Sequence, residues 1–153
     1  MTFEEILSRD GKLVYKTRGV SMRPMLKQDR DLITVAVPEG RLKPLDVALC
    51  RRGPSYVLHR VIRVEEPYYL IRGDNTYALE KVPFDAVIGV LTGFQRKGVS
   101  HSVTDKGYLR YARVWNAIYP LRACFAACRR FAAKVLHKLG ITPLLKRIRK
   151  RGA

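Results

Sequence analysis

Acidic residues stop early in this chain: all 13 lie at or before Asp105, whereas 13 of the 30 Lys and Arg follow it. The first 105 residues are therefore nearly balanced, and the remainder is a cationic tail that seeks an anionic surface, of which lipid head groups and nucleic acid phosphates are the common kinds. Cysteine is scarce, with Cys50 isolated and Cys124 and Cys128 one helical turn apart. That spacing builds neither a disulfide framework nor a four-ligand metal site, so no metal or other cofactor is expected, and the paired thiols read as small apolar fillers of one helix face. Long apolar runs are missing too. The opening residues are mixed in charge and hold no signal-peptide core. Residues 114–136 contain Arg122, Arg129, Arg130 and Lys134, each costing about 2.5–3.5 kcal/mol at the centre of a span. The expected location is cytoplasmic, with the tail either packed on the rest of the protein or peripheral on the inner membrane leaflet.

Short segments that alternate or run apolar over four to eight residues are what the chain does have. They predict strands at 12–16, 32–37, 46–51, 56–64, 68–72 and 86–94, punctuated by turn sequences such as Pro38-Glu39-Gly40, Gly53-Pro54 and Gly73-Asp74-Asn75. A short helical turn is expected over 1–8, and a polar connector over 98–107. From Tyr108 the period changes toward 3.6, placing Leu109, Ala112, Trp115, Ile118 and Tyr119 on one face. Pro120 should end or kink that helix, a second should run over 121–139 to Gly140, and Pro143 should open a third. The expectation is a mainly β protein: a compact β domain over 1–100, then a basic amphipathic helical tail over 108–153.

Three stretches carry candidate chemistry: Gly19-Val20-Ser21-Met22-Arg23-Pro24-Met25, His59-Arg60-Val61-Ile62, and Arg72-Gly73-Asp74-Asn75. A serine hydroxyl is a poor nucleophile until a neighbouring base takes its proton. His59 suits that task as the one histidine inside a predicted strand, since His101 falls in the connector and His137 in the tail. Singly, each stretch reads equally well as a turn or a structural residue. In this order they resemble the serine peptidase group that contains type I signal peptidases and the self-cleaving repressors of the SOS type. The resemblance covers roughly residues 16–91, and Asp46-Val47 matches the group's Gly-Asp-hydrophobic stretch.

The resemblance implies a compact signal-peptidase-like β domain with Ser21 as nucleophile and His59 as general base, the histidine being the base of the endoplasmic reticulum and archaeal type. Met22 and Pro24 would shape the turn that presents the serine and contact substrate. An acid should orient His59. Six residues beyond Asp74, where that type carries Asp, this chain has Glu80; Glu80 and Asp74 are both candidates for the third member. Where many relatives place a helping serine hydroxyl, two residues before the nucleophile, Gly19 stands instead. The implied partner is a protein or precursor peptide added as an extended strand. The group's usual membrane helix before the serine is replaced here by 20 mostly polar residues, so the expected substrate is presented on the cytoplasmic side. Two rivals differ in kind. A repressor-type regulator would use the tail on nucleic acid, but such proteins use a lysine base and a helix-turn-helix domain for which the chain has no room. A catalytically inactive membrane- or partner-binding adaptor would have no use for the serine and histidine.

Overall fold

The computed structural model describes residues 2–138, and the chain divides into two compact units, the division falling after Asn116. The first unit opens with α1 (Phe3–Asp10), whose Thr2 and Glu5 cap each other's backbone amides. Eight strands follow: β1 (Lys12–Lys16), β2 (Leu32–Ala36), β3 (Val47–Arg52), β4 (Ser55–Glu65), β5 (Tyr68–Arg72), β6 (Glu80–Pro83), β7 (Val87–Arg96) and β8 (Val99–Ser102). They form one antiparallel sheet in the order β1-β2-β7-β3-β4-β5-β6, with β8 added to β7. The protein is mainly β.

Side-chain alternation explains why the middle of this sheet is apolar on both faces. Along β3, Val47 and Leu49 enter one cluster with Leu13, Ile33 and Leu91, while Ala48 and Cys50 enter a second with Val61, Tyr69 and Ile71. Burial pushes the Cys50 thiol up to about 12, which leaves it an inert filler. The eleven residues of β4 serve two neighbours in turn. Residues 55–60 pair with β3, and residues 60–65 pair with β5 after a register shift between Val61 and Arg63.

Six strands fall where alternation places them. The other two are β6 and β8, the second lying inside the stretch that reads as a polar connector. Both are short, carry few apolar residues and pair on one side only, β6 with β5 and β8 with β7. Backbone pairing at a sheet edge needs no apolar pattern and tolerates Pro83. Helix α2 (Lys106–Ala117) belongs to the first unit, so the domain reaches beyond residue 100. The expected face is turned inward in the main, with Ala112 buried and Trp115 half-buried, but at its edge Tyr108 is buried and Leu109 is exposed. Polar chemistry sets that choice. The Tyr108 hydroxyl accepts from Arg60 at 3.1 Å, the Tyr111 hydroxyl donates to Asp74 at 2.8 Å, and the Trp115 indole donates to the Asp74 carbonyl at 2.9 Å.

Helix α3 (Tyr119–Lys138) lies in the second unit and carries Pro120 in its first turn, where a missing N–H costs nothing. The expected stop at Gly140 and helix from Pro143 lie outside the described residues. Among the described residues, no helix is long and apolar enough to cross a membrane.

Candidate active site

Ser21 sits in a loop between β1 and β2 that is tied at its base and at its tip. At the base the Thr17 hydroxyl donates to the carbonyls of Lys27 (2.9 Å) and Asp31 (3.0 Å), and the buried Asp31 carboxylate accepts from the Lys27 amide and from Arg30. Arg30 holds the Asp31 carboxyl below its ordinary range. Met22, Met25 and Leu26 plug the loop into the core. At the tip, the Asn75 amide donates to the Ser21 carbonyl at 2.7 Å and the Asn75 side chain donates to the Val20 carbonyl at 3.3 Å. Gly19 has φ of 82°, a left-handed conformation that a serine would adopt only with strain. Glycine at that position therefore follows from the backbone path.

Sheet register brings His59 to this loop. The residue lies on β4 opposite Ala48, and its side chain is buried. Gly73, just beyond β5, lies between serine and histidine. A Cβ built on it would stand 2.9 Å from Ser21 Cβ and 3.1 Å from His59 Nε2. Both side chains thus flank the space that a side chain at residue 73 would fill, although no hydrogen bond joins the Ser21 hydroxyl to His59 in this structure. Such contacts commonly close only with substrate in place.

The third member is contested. Glu80 Oε1 lies 3.6 Å from His59 Nδ1, close enough for an ion pair and too far for a hydrogen bond, and the same carboxylate is bonded by Arg52. His59 Nδ1 is the one buried side-chain nitrogen or oxygen among the described residues that has no hydrogen-bond partner. Asp74, the alternative, is engaged elsewhere: its two carboxylate oxygens accept from Arg60 at 2.8 Å each, and one also accepts from Tyr111. Of the two turn residues expected to contact substrate, Met22 is buried and lines the cleft, whereas Pro24 is exposed and does not line it. The turn closes through the Arg23 and Leu26 amides, which donate to the Val20 and Met22 carbonyls.

The cleft holds about 430 Å³ and is walled by Met22, Leu26, Ile33, Leu49 and Leu58, with Ser21 and His59 on one side. Phe3, stacked on Tyr56 at 4.4 Å between ring centres, also lines it. The sequence reading passed over Arg52 and Phe3, and it marked Gly73 as part of the Gly-Asp-Asn stretch without its place between Ser21 and His59. A charged residue on the strand preceding the histidine's strand was the available signal for Arg52.

Burial, followed by the charge of Arg52, lowers the His59 pKa to about 4, against a smaller raising influence from Asp74. His59 is therefore neutral at physiological pH, the state that accepts a proton. Between its ordinary value and about 4 the unfolded chain takes up the proton first, so this residue withdraws stability as pH falls through that window. Replacing Arg52 by Gln removes a repelling charge and releases Glu80 toward Nδ1, and both changes favour the imidazolium. An NMR titration of the His59 ring is expected to give an apparent pKa near 4 in the wild type and a higher one in Arg52→Gln. An unchanged midpoint in the variant would show that Arg52 does not govern this site.

No protein-family model and no curated protein matches this chain.

Proposed function

We propose that the first unit is a serine endopeptidase of the signal-peptidase-like kind, processing a protein or precursor peptide with Ser21 as nucleophile and His59 as general base. The observation that carries this reading is the meeting of Ser21 and a neutral, buried His59 across Gly73 at the wall of an apolar cleft.

In the reaction, Ser21 Oγ attacks the scissile carbonyl carbon while its proton passes to His59 Nε2. The oxyanion that forms is held by the Ser21 amide, which makes no hydrogen bond of its own among the described residues. Collapse of the intermediate breaks the C–N bond, and the imidazolium returns the proton to the leaving amine. Water, deprotonated by His59, then releases the acyl group and restores the serine. No step calls on a cofactor. Glu80 is the member that stabilises the imidazolium once the charge on His59 draws its carboxylate from Arg52, and Asp74 serves the loop instead.

Extended substrate fits between two unpaired edges. Among the described residues β1 pairs only with β2, and residues 55–59 of β4 pair with β3 alone. Tyr15 of β1 and Tyr56 of β4 both line the cleft, so a peptide laid there adds main-chain hydrogen bonds and places an apolar side chain among Leu26, Ile33 and Leu49.

Reaction with a serine-directed acylating probe tests the reading. Wild type is expected to label at one site, Ser21→Ala to lose all labelling, and His59→Ala to label at least about a hundredfold more slowly. Labelling that persists in folded Ser21→Ala, or a folded wild type that no acylating probe modifies, would sink the proposal.

A further inference from the structure

Helix α3 presents large apolar side chains to solvent in a pattern that a packed helix does not show. Leu121 is 74% exposed, Phe125 73% and Phe131 70%, with Val135 at 39%. At 100° per residue these four, with Cys128 and Ala132, occupy an arc of about 120° along a helix roughly 30 Å long. Arg129 and Lys138 border the arc, and Arg130 and Lys134 lie opposite it, all four exposed. No acidic residue stands anywhere after Asp105 to neutralise them.

We propose that α3 lies in the head-group region of an anionic phospholipid bilayer, with Leu121, Phe125, Phe131 and Val135 inserted among the acyl chains and the cations against lipid phosphates. Each alternative occupant leaves one half of the pattern unexplained. A nucleic acid would neutralise the cations but leave two phenylalanines in water. A second copy of the helix would cover the phenylalanines but bring two sets of cations together with no acid on either, which repels. An anionic interface accepts both halves, and the four or more cations within the helix forbid a span. The proposal stands independently of the peptidase reading, because it uses no residue of the cleft.

Flotation of the full chain with vesicles tests it. Wild type is expected to float with phosphatidylglycerol and phosphatidylcholine mixed in about equal parts, and to bind phosphatidylcholine alone at least about tenfold more weakly. Phe125→Ser with Phe131→Ser alters only exposed positions and is expected to weaken binding to the mixed vesicles by about tenfold or more. In Phe125→Trp the new indole should be quenched by brominated acyl chains, while Trp115 of the first unit, the wild-type control, should not. Binding that depends on salt but not on the phenylalanines, or an unquenched indole, would overturn insertion in favour of surface charge alone. Failure to float, or a dimer in solution that the double serine variant dissociates, would overturn the lipid as occupant.

Discussion

Asp74→Ala is expected to destabilise the first unit by about 3–5 kcal/mol, enough to unfold most of a marginally stable domain. Arg60 is the largest fully buried side chain among the described residues, at 1% exposure. It donates to both Asp74 oxygens at 2.8 Å, to the Leu45 carbonyl at 2.9 Å and to the Tyr108 hydroxyl at 3.1 Å. Removing the carboxylate leaves a buried cation with only neutral acceptors, the Leu45 carbonyl, the Tyr108 hydroxyl and the Met25 sulfur, and removes the Tyr111 hydroxyl's bond to Asp74. The loss should be much larger than the worth of the pair itself, because the pair's own formation is offset by desolvation of both ions. Urea unfolding followed by tryptophan fluorescence measures it, since Trp115 is bonded to the Asp74 carbonyl. Asp74→Leu with Arg60→Met is expected to recover a large part of the loss by replacing both charges with apolar volume. An Asp74→Ala protein as stable as wild type would show that the ion pair does not anchor α2 and the 73–75 loop.

That ion pair also explains which parts of the protein were readable in the sequence. Alternation marked six strands because their side chains divide between two apolar clusters, and it missed β6 and β8 because edge pairing is a backbone affair. The order of the serine, histidine and Gly-Asp-Asn stretches brought Ser21 and His59 to notice, and counting from Asp74 reached Glu80. Sequence could not say that Arg60, next to the histidine, would claim Asp74, since a lone Arg in a strand usually faces solvent. Nor could it say that Arg52 would hold Glu80, 28 residues away, because only the stacking of β3, β4, β5 and β6 brings them together. The helical period from Tyr108 marked most of the buried face, including Ala112 and Trp115, but the edge of that face is set by aromatic polar groups that reach Arg60 and Asp74. A hydrophobicity pattern does not record hydrogen bonds, so it included the exposed Leu109 and left out the buried Tyr108.

Gly73→Ala is expected to cut the rate of acylation at Ser21 by at least about a hundredfold while leaving the protein folded. The reasoning is steric. Gly73 does not occupy the left-handed region, so alanine meets no backbone penalty there. Its methyl group, however, would stand 2.7 Å from the Ser21 carbonyl oxygen, 2.9 Å from Ser21 Cβ and 3.1 Å from His59 Nε2. Two of those neighbours belong to a loop tied down at both ends, and the third is a ring wedged in a strand, so none gives way without disturbing the others. Overpacking of this kind costs about 1–3 kcal/mol of stability, which a folded domain of this size survives. The larger effect falls on reaction, because the methyl enters the space through which, in the proposed mechanism, the serine proton passes to the imidazole. A misplacement of about 1 Å between nucleophile and base is enough for a loss of that size. Acylation rate and urea midpoint measured on the same sample separate the two effects. In a Ser21→Gly background the contact with Cβ is gone, and Gly73→Ala should then cost measurably less stability than it does with serine present. A Gly73→Ala protein that acylates at the wild-type rate would mean that Ser21 and His59 do not react across this glycine, and the pairing at the centre of the proposed mechanism would have to be abandoned.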